Sequence, residues 1–158
     1  MIETIAEIRR LLVGAQRVLI VSHVAPDGDT LGAALGLGWA LRRKGFEVRL
    51  ACADPTPPEL RFLPGSEDFT VQPVGDEQLV FCIDASDTAR LGAVHDERSF
   101  GATTVINIDH HVTNTQYSDV NLVAPRSSTA EIILEILPSL GLTVDRTVAT
   151  CLLAGLVT

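Results

Sequence analysis

The stretch RVLIVSHVAPDGDTLGAALGL, residues 17–37, contains the two patterns that decide the fold. Its first six residues are an apolar, β-branched run of the kind that forms a buried strand. Residues 30–44 have helical character, so a helix follows the strand after a short connection. His23, Asp27 and Asp29 lie between the two elements, where the backbone changes direction. The clustering of an imidazole and two carboxylates at such a point in a soluble protein requires a structural or functional explanation.

The same alternation of strand and helix recurs along the chain. Apolar runs predict buried strands at 47–52, 79–84 and 103–109, and helical patterns cover 2–13, 127–137 and 145–156. Such alternation predicts an α/β fold, an open, mainly parallel sheet with helices on both faces. Gly32, Gly36 and Gly38 lower the helix propensity of 30–44, and we expect close packing on the sheet to compensate. The Pro-rich segment 54–65 predicts a connection over the surface.

Composition and charge bound the class of protein. The 158 residues are 46% hydrophobic, which predicts one folded domain. The net charge of −8 argues against binding of a long polyanion by bulk charge. Cys52, Cys82 and Cys151 form no C-x-x-C pair and are typical of buried cysteines in a reducing compartment. With no signal peptide and no apolar run long enough to span a bilayer, we expect a cytoplasmic protein without a membrane partner.

Polar side chains follow three of the predicted strands. In chain order they are His23, Asp27 and Asp29, then Asp84 and Asp87, then Asp109, His110 and His111. Because the carboxyl ends of parallel strands share one edge of a sheet, we expect these clusters to converge in space.

The residue types at this edge point to divalent cations. Unpaired carboxylates that lie side by side repel, and burial raises their pKa values. Asp oxygens with His nitrogens, and no Cys, suit Mn²⁺, Mg²⁺, Co²⁺ or Fe²⁺ rather than structural zinc. The set exceeds what one ion needs, so two ions with a bridging Asp are predicted. Such pairs lie roughly 3.5–4 Å apart and serve phosphoryl transfer.

Each feature alone also has a structural interpretation. Asp27 could cap a helix, His23 could be a hydrogen-bonded core residue, and Asp84 could be an ordinary loop acid. His110 and His111 could be a solvated loop pair. Their shared position at one predicted edge favours a common site.

The quoted stretches resemble the DHH phosphoesterase superfamily. HVAPDGDTLGAALGL looks like its first motif and FCIDASDTARLG like its second, and NIDHHVTN contains the triplet that names the group. APRSSTAEIILEIL is similar to the Ser-Ser-Thr-x-Glu segment that follows. The second motif and this last segment look most like the branch of nanoRNA exonucleases and pAp phosphatases.

The resemblance implies a metal-binding role for five residues. His23 and Asp27 would bind the first of two divalent cations, and Asp29 and His110 would bind the second. Asp84 would bridge both. Mn²⁺ is the expected ion, with Mg²⁺ or Co²⁺ as possible substitutes.

The resemblance also implies catalytic and substrate-binding residues. His111 would face the substrate phosphate, and Asp109 would orient a neighbouring imidazole. The expected substrate-binding residues are Arg90, Ser127, Ser128 and Thr129. Ser128 and Glu131 also have the spacing of a capping box, which explains them without a ligand. A helix start at that point would equally present N–H groups to an anion.

The implied activity is metal-dependent hydrolysis of short oligoribonucleotides or 3′-phosphoadenosine 5′-phosphate, not of long duplexes, by a homodimer. There are two alternatives. One is a class II inorganic pyrophosphatase, and the other is a module that binds a nucleotide or a metal. Two departures predict an impaired, truncated enzyme. Family members have a further ligand Asp just after the sequence GLVT, which here occupies 155–158. Residues 1–158 would thus be the catalytic domain alone, without the carboxyl-terminal substrate-binding (DHHA1-type) domain.

Overall fold

A single parallel sheet organises the molecule. The computed structural model describes all of residues 1–158, and six strands form the sheet in the order β3-β2-β1-β4-β5-β6. The strands are β1 (Arg17–Ser22), β2 (Glu47–Ala51), β3 (Phe69–Thr70), β4 (Leu79–Ile83), β5 (Thr104–Asp109) and β6 (Val120–Val123). Every neighbouring pair is parallel. The strand order reverses between β1 and β4, which is where ligands bind in sheets of this kind.

The helices cover the two faces of the sheet unequally. They are α1 (Ile2–Val13), α2 (Gly28–Lys44), α3 (Glu97–Gly101), α4 (Thr129–Ile136) and α5 (Arg146–Val157). Buried side chains of α1, α2, α4 and α5 share one core cluster with Ile20 and Phe81 of the sheet. No helix combines the length and apolar character that crossing a bilayer requires.

The opposite face has a thinner cover. Leu19 and Val80 belong to a second cluster, which is closed by Leu91 from the 3-10 turns of Thr88–Val94 and by Phe100 of α3. Because successive strand residues point to opposite faces, strands buried on both sides have unbroken apolar sequences. The predicted α/β fold with helices on both faces is therefore confirmed.

The glycines of α2 face a helix more than the sheet. A Cβ at Gly32 would lie 2.5 Å from the carbonyl oxygen of Cys151 and 2.8 Å from the nitrogen of Gly155. Gly36 also faces α5, and Gly38 alone of the three faces the strands. The expectation of close packing on the sheet was thus partly wrong, because the closest approach is between α2 and α5.

Two strands lack a clear sequence signal. β3 has only two residues, too few to show a period. In β6 the apolar run is interrupted by Asn121, whose side chain donates to the carbonyl oxygen of Ser118 at 2.7 Å. The Pro-rich segment 54–65 does run along the surface, although Leu63 is buried in the main core.

Candidate metal centre

The three polar clusters meet at the carboxyl edge of β1, β4 and β5. His23 directly follows β1, Asp84 directly follows β4, and Asp109 ends β5. A cavity of about 410 Å³ opens there, with the following predicted site residues in its lining: His23, Asp27, Asp29, Asp84, Arg90, His110, His111, Ser127 and Ser128. The end of α5 completes the wall. Asp87 lies apart from the cavity lining, and its side chain caps the 3-10 turns by accepting from the N–H of Arg90.

A first group of possible ligands consists of His23, Asp27 and Asp84, whose ligand atoms lie within 4.8 Å of one another. The His23 Nε2 is 3.4 Å from Asp84 Oδ2 and 3.7 Å from Asp27 Oδ1. The His23 Nδ1 donates to the carbonyl oxygen of Val24 at 2.6 Å, since a carbonyl can only accept. This bond leaves Nε2 to face the carboxylates, with either a proton or a cation between them.

The start of α2 holds this first group in place. Asp27 caps the helix by accepting from the N–H of Thr30 at 3.0 Å, so the structural interpretation of Asp27 is also correct. The Thr30 hydroxyl donates to the carbonyl oxygen of Ile83 at 3.0 Å and ties the helix start to the end of β4. Asp84 is the next residue, so one buried threonine links the chain segments that carry the two carboxylates.

A second group consists of Asp84, His110 and His111, again within 4.8 Å. The His110 Nε2 lies 3.5 Å from Asp84 Oδ1, and its Nδ1 is 3.2 Å from the carbonyl oxygen of Arg126. Asp84 therefore belongs to both groups, with Oδ2 toward His23 and Oδ1 toward His110. Its φ of 60° is in the left-handed region, a strained conformation that occurs often at functional sites.

The predicted second-metal ligand Asp29 is bound to the start of α4. Its Oδ2 accepts from the N–H of Thr129 and its Oδ1 from the N–H of Ala130, both at 2.8 Å. Oδ2 also lies 3.7 Å from the Nε2 of His110. Two of the N–H groups that we expected to face a substrate anion instead bind this carboxylate.

The predicted substrate-binding residues of α4 separate into two kinds. Thr129 is fully buried, and its hydroxyl donates to Asp84 Oδ1 at 2.7 Å, so it orients Asp84 and does not line the cavity. Ser128 caps α4 by accepting from the N–H of Glu131, and the Glu131 carboxylate in turn accepts from Ser127. The capping interpretation is therefore correct, while Ser127 and Ser128 still line the cavity.

The electrostatics of the cluster show a need for positive charge. Burial, and then the charge of Asp84, raise the pKa of Asp29 to about 6. Burial by itself lowers the pKa of His23, but hydrogen bonds to Asp27 and Asp84 outweigh it and raise the pKa to about 9. The hydrogen bond from His23 lowers the pKa of Asp27 to about 2, against the effect of burial. A proton on His23 supplies the charge that a divalent cation would supply, so the residues fit a cation.

A network of amides behind Asp109 is the part of the site that the sequence analysis missed. Asp109 is fully buried and its Oδ1 lies 2.7 Å from His111 Nδ1. Its Oδ2 accepts from the Nδ2 of Asn114 at 2.6 Å, and Asn114 also donates to Asn107 Oδ1 at 2.7 Å. The available signal was Asn107, a polar residue inside an apolar strand, since a buried amide requires partners.

Comparisons with known proteins agree with the geometry. Residues 17–156 match the family model described as the DHH family, N-terminal domain. The chain is 34% identical over 157 residues to the bifunctional oligoribonuclease and PAP phosphatase NrnA of Thermus thermophilus. This alignment covers 98% of this chain and 46% of that protein. It is 28% identical over 120 residues to NrnA of Bacillus subtilis, covering 75% of this chain and 37% of that protein.

A solved structure supports the fold independently. An exopolyphosphatase-related protein from Bacteroides fragilis superposes with a TM-score of 0.91 at 24% identity, over 99% of this chain and 49% of that one. The chain thus spans less than half the length of the curated relatives described above.

Proposed function

The chain belongs to the DHH family, and on that premise we propose that it is a phosphoesterase that uses two divalent cations, with Mn²⁺ as the preferred ion. Its proposed substrates are short oligoribonucleotides and 3′-phosphoadenosine 5′-phosphate, the substrates in the names of the NrnA relatives. The observation that supports a cation pair is Asp84, whose two oxygens face two different groups of ligands.

We assign the ligands as follows. His23, Asp27 and Asp84 would hold the first cation, and Asp84, His110 and Asp29 would hold the second. Cations held at these positions would supply Lewis-acid charge and would activate water for attack. The helix start at Thr129 and the hydroxyl of that residue keep the two inner carboxylates at fixed orientations.

The remaining side chains of the cavity suit a phosphate. His111 is bound to Asp109 through Nδ1, so its Nε2 is left to donate to a phosphoryl oxygen when the ring is protonated. Arg90 is the one Arg or Lys among the lining residues and forms no salt bridge. A guanidinium at that position matches the planar arrangement of two phosphate oxygens.

Hydrolysis assays in Mn²⁺ test the proposal. The chain is offered 3′-phosphoadenosine 5′-phosphate, a diribonucleotide and inorganic pyrophosphate, and the released phosphate and mononucleotides are measured. We expect turnover of the first two, loss of turnover in EDTA, and recovery when Mn²⁺ is restored. Turnover of pyrophosphate alone would identify a pyrophosphatase. Binding of Mn²⁺ with no turnover of any substrate would refute phosphoesterase activity in this chain and favour a binding module.

Two further proposals concern the state of the protein. The three cysteines are all free and buried, in keeping with the cytoplasmic location that we propose. The homodimer implied by the family resemblance stays a prediction, which sedimentation of the chain in solution would check.

A further inference from the structure

A second, larger cavity lies beside the metal centre. Its volume is about 540 Å³, within the range of small-molecule sites, and its lining residues are Cys52, Ala53, Asp54, Pro55, Thr56, Arg61, Ser66, Glu67, Phe69 and Val71. None of them belongs to the two ligand groups. We propose that this cavity binds a ribonucleoside of the substrate, next to the phosphate that is hydrolysed. The proposal rests on the proposed function, and it adds a subsite for the nucleoside.

The two cavities share a wall. The segment from His23 to Asp27 forms one side of the metal centre, and its midpoint Ala25 donates its N–H to Asp54 Oδ2 at 2.7 Å. The Cys52 thiol donates to the carbonyl oxygen of His23 at 3.3 Å. β1 and β2 are neighbours in the sheet, about 4.8 Å apart. The segment His23 to Asp27 therefore separates the two cavities, and a substrate that crosses this segment would place its phosphate at the metal centre and its nucleoside in the second cavity.

The 3-10 turns that contain Arg90 pack against the shared wall from the second face of the sheet. At Gly92, where φ is +56°, an added Cβ would lie 2.5 Å from Val24 and 2.9 Å from Ala53. Val24 belongs to the shared wall and Ala53 to the second cavity. The backbone of this segment thus packs against both the shared wall and the lining of the second cavity, two residues from Arg90.

The charges in the second cavity suit a nucleoside better than a phosphate. Asp54 and Glu67 are carboxylates, and Arg61 is the only cation of the lining. Asp54 uses Oδ2 for Ala25, which leaves Oδ1 to accept from a ribose hydroxyl. A carboxylate that accepts from the 2′-hydroxyl is a means of telling RNA from DNA.

Residue types on which a base can stack are present in the lining as well. Phe69 and Pro55 supply apolar lining, and Arg61 forms no salt bridge, with its Nε donating only to the carbonyl oxygen of Thr56 at 3.4 Å. Bases stack on aromatic rings and on guanidinium planes with little preference for sequence. The Thr56 hydroxyl donates to the carbonyl oxygen of Ser66 at 2.9 Å, and this bond holds the loop around an already formed cavity.

Substitution of Arg61 separates this subsite from the metal centre. In Mn²⁺ we expect Arg61→Ala to raise the KM for the diribonucleotide ApA about tenfold, the cost of one lost stacking contact. The kcat, and the hydrolysis of bis(p-nitrophenyl) phosphate, which has no nucleoside, should stay as in the unsubstituted chain. Arg98→Ala, which removes an exposed arginine outside the cavity lining, is the matched control. Equal KM values in the two variants would overturn the subsite.

Substitution of Asp54 tests recognition of the ribose. Asp54→Asn keeps a side-chain oxygen for the N–H of Ala25 but removes the charge. We expect it to reduce the preference for ApA over the deoxyribose analogue dApdA by at least about threefold, with hydrolysis of bis(p-nitrophenyl) phosphate unchanged. An unchanged ratio of the two KM values would contradict this assignment.

Binding in EDTA distinguishes failure of the subsite from failure of the proposed function. ApA is titrated into the metal-free chain by calorimetry, where cleavage does not occur. Arg61-dependent binding together with no hydrolysis in Mn²⁺ would keep the subsite and refute the phosphoesterase. Hydrolysis of bis(p-nitrophenyl) phosphate, together with ApA binding that does not depend on Arg61, would keep the phosphoesterase and refute the subsite.

Discussion

The two ligand groups share Asp84 but are built in different ways. In the first group, the His23 side chain is 2% exposed at the end of a strand, and Asp27, which is 62% exposed, is the cap of α2. In the second, His110 and His111 lie beyond β5, with side chains that are 22% and 42% exposed. The backbone of regular elements fixes the first group and also Asp29, whereas a network of buried side chains supports the loop with the two histidines of the second group.

This difference indicates how a site is held at the edge of a parallel sheet. A ligand that caps a helix is oriented by hydrogen bonds that the helix needs in any case. The loop that contains His110 and His111 has no such support, and here Asp109 and Asn114 provide it from behind, with Asp109 accepting from the backbone N–H of His110. We therefore expect the first group to bind its cation more tightly, and the second to be more sensitive to changes in residues that touch no cation.

The largest effect is expected at the shared residue. Asp84→Asn removes the negative charge from both groups at once, and a loss of about 4 kcal/mol of transition-state stabilisation corresponds to roughly a thousandfold in kcat. The rate of hydrolysis of 3′-phosphoadenosine 5′-phosphate in saturating Mn²⁺ is the measurement. Asp96→Asn, a cap substitution on the distant helix α3, is the control and should retain full activity. Activity within tenfold of the unsubstituted chain would refute the bridging role of Asp84.

A substitution behind the second group should have a smaller effect, and it should weaken only one of the two cation sites. Asn114→Leu removes the hydrogen bond to Asp109 Oδ2, so the loop that contains both second-group histidines loses a support. Loss of such outer partners costs about 10–100-fold in metal affinity. We expect that loss for the weaker of two Mn²⁺ ions only, measured by calorimetry. Equal weakening of both ions would show that the two groups are not held independently.

The matched change in the first group acts on folding more than on binding. Thr30→Val keeps the shape of the side chain but removes the buried hydroxyl that donates to the carbonyl oxygen of Ile83. The unsatisfied carbonyl should lower the free energy of unfolding by about 1–3 kcal/mol, measured by urea denaturation. Affinity for the tighter Mn²⁺ ion should change less than tenfold. A large loss of affinity without a loss of stability would reverse the comparison.

The smallest effect is expected in the pH dependence of the stability of the metal-free chain. The pKa of His23 is about 9 in the folded state, above its ordinary value of 6.5. Its contribution is therefore fully present below pH 6.5 and is lost as the pH rises through 9, at no more than about 1.4 kcal/mol per pH unit. The pKa of Asp29 is also raised, to about 6, so its effect on the free energy of unfolding falls in a lower pH range. There, stability decreases as the pH rises from about 4 to 6.

Urea denaturation in EDTA between pH 6.5 and 9.5 gives the measurement. The free energy of unfolding should fall across this range, and His23→Gln should flatten the slope. Constant or rising stability in the unsubstituted chain would contradict the charge balance assigned to the first group.

The sequence predicted the parts of the molecule that depend on local pattern. The runs 17–22, 79–84 and 103–109 predicted three central strands, and the rule that parallel strands share a carboxyl edge brought His23, Asp84 and His110 together. The capping spacing of Ser128 and Glu131 predicted a helix start whose N–H groups face an anion, but it could not identify that anion as Asp29, because the contact joins residues about 100 positions apart. The cavity around Arg61 could not be predicted either, because most of its lining comes from an irregular loop, and no sequence periodicity specifies the path of such a loop.

Calorimetric titration of Mn²⁺ into the unsubstituted chain and into Asp84→Asn tests the central claim most directly. The shared carboxylate predicts two ions per unsubstituted chain with unequal affinities, and weak or no binding of either ion to Asp84→Asn. Binding of a single ion to the unsubstituted chain, or of two ions to Asp84→Asn, would contradict it.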